Sequence, residues 1–349
     1  MDQPTFAMIS CAVGAESAVK ESVLQDGWRL AFSRPGFVTL KHEQSKEPPR
    51  GTFIRTSSRS IGSAKASSFS NLAELLIEKL SEQFDSSPPF NQLHVWPKDR
   101  APIGRFGFEP GPDEVSNAIS AEIFPRLAKK WLTCDLPNRI AESGDRVLDL
   151  VLVEPSHWFF GWHQAGDWHT RWPGGVQPIT LHQEPVSRAY YKAAESITWS
   201  GFLIRRGQTA VEIGSSPGGA CGRLLELGLK VIGIDPAEMD PSIAEHPQFK
   251  HIRARAGDLP RKTFRGAKWL LVDSNVAPEK TLTTIRNIVM HRDCTLEGLL
   301  VTLKIGNYTA SQKISSWEQE IDSWNPSRVR VRQLSRNKVE VCFAIEFDR

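Results

Sequence analysis

From residue 187 onward the apolar positions fall into a regular alternation. TAVEIG, KVIGID, HIRARAG, KWLLVD and LLVTLK are short apolar runs with the length of strands, and their near-continuous hydrophobicity suits strands buried on both faces. Between and around them SRAYYKAAESI, GGACGRLLELG, EKTLTTIRNIVMHR and SQKISSWEQEIDSW carry helical periodicity. Such alternation predicts a parallel sheet covered by helices on both sides. The closing runs SRVRVRQL and KVEVCFAIEF are joined by the short turn SRNK. That leaves no room for a crossover helix, so they are expected to form an antiparallel hairpin.

The first half is patterned less evenly. FAMISCAV, WRLAFS, GFVTLK and GTFIR read as short strands, and AESAVKESVLQ and NLAELLIEKLSEQF as helices, with Ser70 or Asn71 the expected N-cap of the second. The Ser-rich stretch TSSRSIGSAKASSFS between them is expected to be a flexible loop. A third helix is expected over DEVSNAISAEIFPRLAKKW, broken at Pro125, and RVLDLVLVE and HWFFGWHQ should be neighbouring strands. Together these predict an α+β domain over residues 1–165, a linker over 166–186 and an α/β domain over 187–349. No internal repeat is visible.

Composition narrows the setting. A length of 349 residues accommodates two cores, and no run of 18 apolar residues suggests a membrane span. The N-terminus lacks the basic and apolar regions of a secretory signal. Five scattered cysteines, odd in number and without C-x-x-C, point to a reducing, cytoplasmic compartment and away from a structural zinc site. The net charge of +3 conceals an asymmetry: 19 basic against 22 acidic residues up to 185, and 24 against 18 thereafter. A modestly basic C-terminal half accommodates a polyanion, though RVRVRQLSRNK could equally be a solvated strand face. In the first half, a local basic face is expected around Arg50, Arg55, Arg59 and Lys65.

The segment 157–172 is rich in tryptophan (Trp158, Trp162, Trp168, Trp172) and histidine (His157, His163, His169). Three readings stay open: packing of the linker by its indoles, base stacking on RNA, and a metal site whose ligand spacing matches no familiar pattern.

The most informative stretch is EIGSSPGG, residues 212–219, between a strand and a helix. A phosphate-binding P-loop requires a Lys-Ser or Lys-Thr after its last glycine, and none follows Gly219. A dinucleotide loop requires a second glycine where Ser216 stands, and Pro217 removes a backbone donor. A ligand needing close backbone approach but no phosphate cradle fits better. Gly214, Gly218 and Gly219 supply the space, and the following helix offers free N–H groups to a carboxylate. Asp235, 21 positions after Gly214 at the end of the next strand, can hold the two hydroxyls of an adenosine ribose.

EIGSSPGG, IDPAEMDP, LLVDSNVAP and LLVTLKIG, in that order, resemble the FtsJ-like family of RNA ribose 2′-O-methyltransferases. The layout is similar to its branch that carries an N-terminal THUMP domain and methylates a cytidine of large-subunit (23S) ribosomal RNA. The resemblance extends over residues 171–349 and is architectural over the first half. It implies a Rossmann-like methyltransferase domain preceded by an α+β THUMP-like domain that binds RNA, with S-adenosyl-L-methionine as cofactor and RNA as partner. It implies a catalytic set of Lys192, Asp273, Lys304 and Glu340. Ser187, Gly214 and residues Ser216, Pro217, Gly218 and Gly219 would meet the cofactor's methionine part, Asp235 its ribose, Asp258 its adenine, and Asp273 would border it. Departures are Glu212 for the usual aspartate, the pair Ser215–Ser216, and Tyr190–Tyr191 before the lysine.

A ribose 2′-hydroxyl ionises far above neutral pH, so transfer to it benefits from a base and in-line alignment. Lys304 is the expected proton acceptor, with Asp273 and Glu340 orienting the lysines. Taken singly, each residue has an ordinary explanation: Lys192 on a helix surface, Glu340 pointing outward from an alternating strand, Asp258 in a turn before Leu-Pro. Their weight comes from the ordered set. The competing readings are a different RNA target such as transfer RNA, a non-catalytic RNA-binding protein on a degenerate methyltransferase fold, and a nicotinamide-dependent oxidoreductase.

Overall fold

A computed structural model describes residues 4–128, 130–181 and 184–349. The chain divides into two compact units, Met1–Pro178 and Ile179–Arg349.

The first unit runs β1 (Thr5–Ser10), α1 (Glu16–Leu24), β2 (Arg29–Arg34), β3 (Phe37–His42), β4 (Thr56–Lys65), α2 (Phe69–Phe84), β5 (Gln92–Pro97), α3 (Glu114–Leu127), β6 (Arg146–Glu154) and β7 (His157–Gln164). Its seven strands form one sheet in the order β2-β3-β1-β4-β7-β6-β5, antiparallel except for the β5–β6 pair. Successive side chains of a strand point to opposite faces, and β6 fills both. Leu148, Leu150 and Leu152 meet Leu72, Leu76 and Leu80 of α2 and Ile123 and Leu127 of α3, whereas Val151 and Val153 join Met8, Phe37 and Trp96 on the other side.

Several expectations for this unit change. The Ser-rich stretch is not a loop: Thr56–Lys65 is an interior strand between β1 and β7. Pairing on both edges satisfies its backbone, and Ser58 Oγ donates to the buried Asp149 at 2.5 Å, so tertiary context overrides weak strand propensity. GTFIR is not a strand but a turn, with Ile54 N–H donating to Gly51 O at 3.1 Å and Phe53 and Ile54 buried. Pro125 does not break α3, because it lies in the last turn and removes one hydrogen bond only. The N-cap of α2 is Ser68, which accepts from Asn71 N–H. Strand β5 goes unnoticed in the sequence because its six residues are flanked by Pro-rich segments.

The expected basic face is altered, with Lys65 exposed and the three arginines drawn toward carboxylates. Arg55 is buried and paired with Asp99 at 2.5 Å, Arg59 is paired with Glu47 at 3.0 Å, and Arg50 lies 3.8 Å from Asp167. Within 157–172, Trp158 and Trp172 are buried and Trp168 is exposed. Both ring nitrogens of His163 are engaged, Nδ1 with Asp149 at 2.6 Å and Nε2 with Thr170 O at 2.7 Å. Among the described residues no group of three or more histidine, cysteine or acidic side chains is placed to hold a metal ion.

The second unit comprises α4 (Ala189–Ser200), β8 (Thr209–Ile213), α5 (Gly219–Glu226), β9 (Lys230–Ile234), α6 (Pro241–Ala244), β10 (Phe249–Ile252), β11 (Trp269–Asp273), α7 (Pro278–Val289), β12 (Gly298–Lys304), α8 (Lys313–Asp322), β13 (Arg328–Arg332) and β14 (Glu340–Glu346). The sheet order is β10-β9-β8-β11-β12-β14-β13. The first five strands are parallel; β13 and β14 form the antiparallel hairpin that the closing pattern predicts, and β14 also pairs antiparallel with β12. The HIRARAG strand is displaced: β10 ends at Ile252 and a 3-10 turn occupies Ala256–Asp258. Among the described residues no helix is long and apolar enough to cross a membrane.

Candidate active site

The parallel strands deliver their C-terminal ends to one edge, where ligands of open α/β sheets bind. β8 ends in the glycine loop, β9 in Asp235, β11 in Asp273 and β12 in Lys304. Gly214 takes φ 85°, and a Cβ there would strike the Asp273 carbonyl. Only glycine lets the β8 loop pass so close to the end of β11. A Cβ on Gly219 would likewise meet Ser187 Oγ. The Ser216–Pro217 peptide is cis.

A pocket of about 600 Å³ opens at this edge, lined by Gly214, Ser216, Asp235, Asp258, Asp273 and Asn275 among others. Asp235 is tied in place, its carboxylate accepting from Ala237 N–H at 2.8 Å and Ser216 N–H at 3.3 Å. Asp258 is exposed in its 3-10 turn at the pocket wall. Ser187 Oγ is buried and has no hydrogen-bond partner. A buried hydroxyl left unpaired costs free energy, so this atom at the glycine loop is suited to a polar ligand group.

Three of the four ionic residues named from the sequence form one cluster. Lys192 Nζ lies 2.6 Å from Asp273 Oδ2 and 2.7 Å from Glu340 Oε1. Burial pulls the Lys192 ammonium toward neutrality, but the two carboxylates outweigh it and hold it above the ordinary lysine range. For Glu340 burial acts upward and Lys192 downward, with the net result a carboxyl below its ordinary value. Glu340 is therefore not an outward-pointing strand residue; it is 6% exposed. Lys304 stands apart. It is exposed and donates to Asn275 Oδ1, and no carboxylate lies within ion-pair distance of it among the described residues.

Three further residues, none of them assigned a site role from the sequence, complete the surroundings. Asn275 holds Lys304 from the β11 loop. Glu195 on α4 is buried and accepts from Ser335 N–H (2.8 Å), Ser335 Oγ (2.6 Å) and Arg336 N–H (3.2 Å). It thereby anchors the β13–β14 loop, whose Lys338 N–H donates to Glu340. Glu212 lies beneath the glycine loop, 2% exposed, accepting from Cys221 Sγ at 2.8 Å. Burial pushes its carboxyl up to about 8. Asn275 stands two positions after Asp273 in LLVDSNVAP, a signal that was available; Glu195 carried none, since its partners lie 140 residues away.

Residues 185–296 match the FtsJ-like methyltransferase family. The chain is 24% identical over 178 residues, 49% of its length and 48% of the relative's, to Ribosomal RNA large subunit methyltransferase M of Aromatoleum aromaticum. It is 35% identical over 148 residues, 40% of each chain, to the protein of that name from Laribacter hongkongensis. A third, from Thauera aminoaromatica, is 23% identical over 211 residues, 58% of this chain and 57% of the relative. The chain spans about half the length of the curated relatives it matches. The glycine loop and the pocket at the strand ends lie within the stretch, residues 185–296, that is similar to the FtsJ-like methyltransferase family.

Proposed function

We propose that the protein is an S-adenosylmethionine-dependent RNA methyltransferase that modifies a ribose 2′-hydroxyl, with a cytidine of large-subunit ribosomal RNA as its target. The observation that carries this reading is the division of roles between two lysines at the pocket edge. Lys192 is bound by two carboxylates, and Lys304 by none among the described residues.

The cofactor fits the residues present. The unpartnered Ser187 Oγ and the glycine loop suit its amino-acid end, Asp235 its ribose and Asp258 its adenine. When bound, S-adenosylmethionine supplies an electrophilic methyl group. Lys304 Nζ, as the neutral amine, would take the proton of the 2′-hydroxyl while that oxygen gains the methyl group and the cofactor's sulfur leaves with the electron pair of the broken methyl–sulfur bond. Lys192 is unsuited to this, because losing its proton would leave the buried Glu340 and the partly buried Asp273 as unpaired carboxylates. It acts instead as a fixed cation that keeps both acids oriented. Asn275 aims Lys304 before the substrate arrives. The N-terminal unit we read as a THUMP-like module that positions RNA.

The experiment is mass mapping of ribosomal RNA after incubation with the protein and labelled S-adenosylmethionine. A single new 2′-O-methylcytidine in large-subunit RNA is the expected product. Label on transfer RNA, on a base, or nowhere would overturn the assignment.

A further inference from the structure

With Arg55 buried against Asp99 and Arg59 paired with Glu47, the charge around them is partly spent, and a second surface of the first unit has the features of an RNA contact. This surface is the loop between β5 and α3. Phe106 is 90% exposed and sits at φ 53°, ψ 31°, in the left-handed region that favours glycine. A phenylalanine there stores backbone strain and leaves an apolar ring in water. Neither contributes to folding.

The rest of the loop is built to hold that ring out. Ile103 and Phe108 are buried on either side of it. Gly104 N–H donates to Phe108 O at 2.8 Å, Phe108 N–H to Arg105 O at 3.0 Å, and Arg105 N–H to Pro102 O at 3.0 Å. The turn is thus closed by its own backbone. The Arg105 guanidinium lies 5.0 Å from the centre of the Phe106 ring, and that of Arg100 lies 5.7 Å from the Phe108 ring. Neither arginine has a carboxylate partner among the described residues, and the nearby Asp99 is neutralised by Arg55.

We propose that the Phe106 loop is a docking site for single-stranded RNA, with a base stacked on the Phe106 ring and backbone phosphates held by Arg100 and Arg105. An exposed, pre-positioned ring flanked by free guanidiniums matches what sequence-tolerant binding of single strands requires. This rests on the proposed RNA methyltransferase function, for which the loop is a substrate-positioning surface remote in sequence from the catalytic residues.

The test measures binding of the full-length protein to a large-subunit ribosomal RNA fragment, alongside methyl transfer to that fragment and affinity for S-adenosylmethionine. Phe106→Asn suits the left-handed backbone and should leave the melting temperature equal or higher. It should weaken RNA binding by about tenfold or more, and Phe106→Trp should retain it. Arg100→Ala and Arg105→Ala should each lower the slope of log affinity against log salt by about one. Affinity for S-adenosylmethionine should not change. If the unmodified protein binds and methylates RNA and Phe106→Asn does so equally well, the docking site is refuted while the enzymatic reading stands. Loss of methylation on a ribosomal particle, with naked-RNA binding unchanged, would mean that the loop contacts protein instead. If the unmodified protein neither binds nor methylates RNA, the functional reading falls first and takes this one with it.

Discussion

Lys304 and Glu340 stand directly opposite each other in the antiparallel pair β12–β14, yet the Glu340 carboxylate goes to Lys192 on α4, at 2.7 Å. The register alone would have paired the two. By reaching across to the helix, Glu340 leaves Lys304 with only the neutral Asn275 amide as its partner. In the proposed reaction, the lysine without a carboxylate partner is the one that meets the 2′-hydroxyl.

Lys304→Ala should therefore lower methyl transfer by about 10²- to 10⁴-fold and leave S-adenosylmethionine affinity unchanged. Calorimetric titration together with single-turnover transfer separates the two effects. Normal turnover by this variant would remove Lys304 from the chemistry.

Lys192→Ala should behave differently, because it strips the cation from two carboxylates that are 26% and 8% exposed at the side chain. Breaking a buried pair costs about 3–5 kcal/mol, with the lower end expected here since Asp273 retains some solvent. The exposed Lys304→Ala change should stay within about 0.5 kcal/mol. Denaturant unfolding of the two variants side by side gives the comparison, and equal stabilities would contradict the buried cluster.

Glu212 makes stability depend on pH. Its ordinary value is 4.5 and burial raises it to about 8 in the folded chain. The unfolded chain releases this proton first, so its contribution is complete below pH 4.5 and is lost as pH rises toward 8. Glu212→Gln keeps an oxygen acceptor for Cys221 and removes the titration. Its melting temperature should decline less steeply than that of the unmodified protein between pH 5 and pH 8, both limits being about the edges of that window. Parallel curves would show that Glu212 ionises normally.

Ser187 offers a test of the cofactor end. Its hydroxyl has no partner in the protein, so Ser187→Ala should not reduce thermal stability. Loss of one hydrogen bond to a bound carboxylate should weaken S-adenosylmethionine binding by about two- to tenfold. Unchanged affinity would place the methionine end elsewhere.

Much of the second unit was legible because its signals are local. Apolar runs buried on both faces, each followed by a helix, give the same reading residue by residue, and strand order then puts the glycine loop, Asp235, Asp273 and Lys304 at one edge. The first unit misled where local and tertiary preferences disagree. TSSRSIGSAK has loop composition, yet two neighbouring strands claim its backbone. The basic residues around Arg55 looked like a surface because sequence carries no record of Asp99, 44 positions away, arriving at 2.5 Å.

By itself the sequence determined the alternating α/β domain and the glycine loop at residues 212–219 between a strand and a helix, while the four ionic residues were named by the resemblance to the FtsJ-like family. The first two follow from periodicity and backbone conformation, which are properties of short segments. Only the tertiary structure decided which lysine is paired and which is free, that Glu212 is buried, that Glu195 anchors the β13–β14 loop, and that Phe106 stands in solvent. Each of those depends on distances between residues far apart in the chain, and charge pairing and desolvation are set by distance in space.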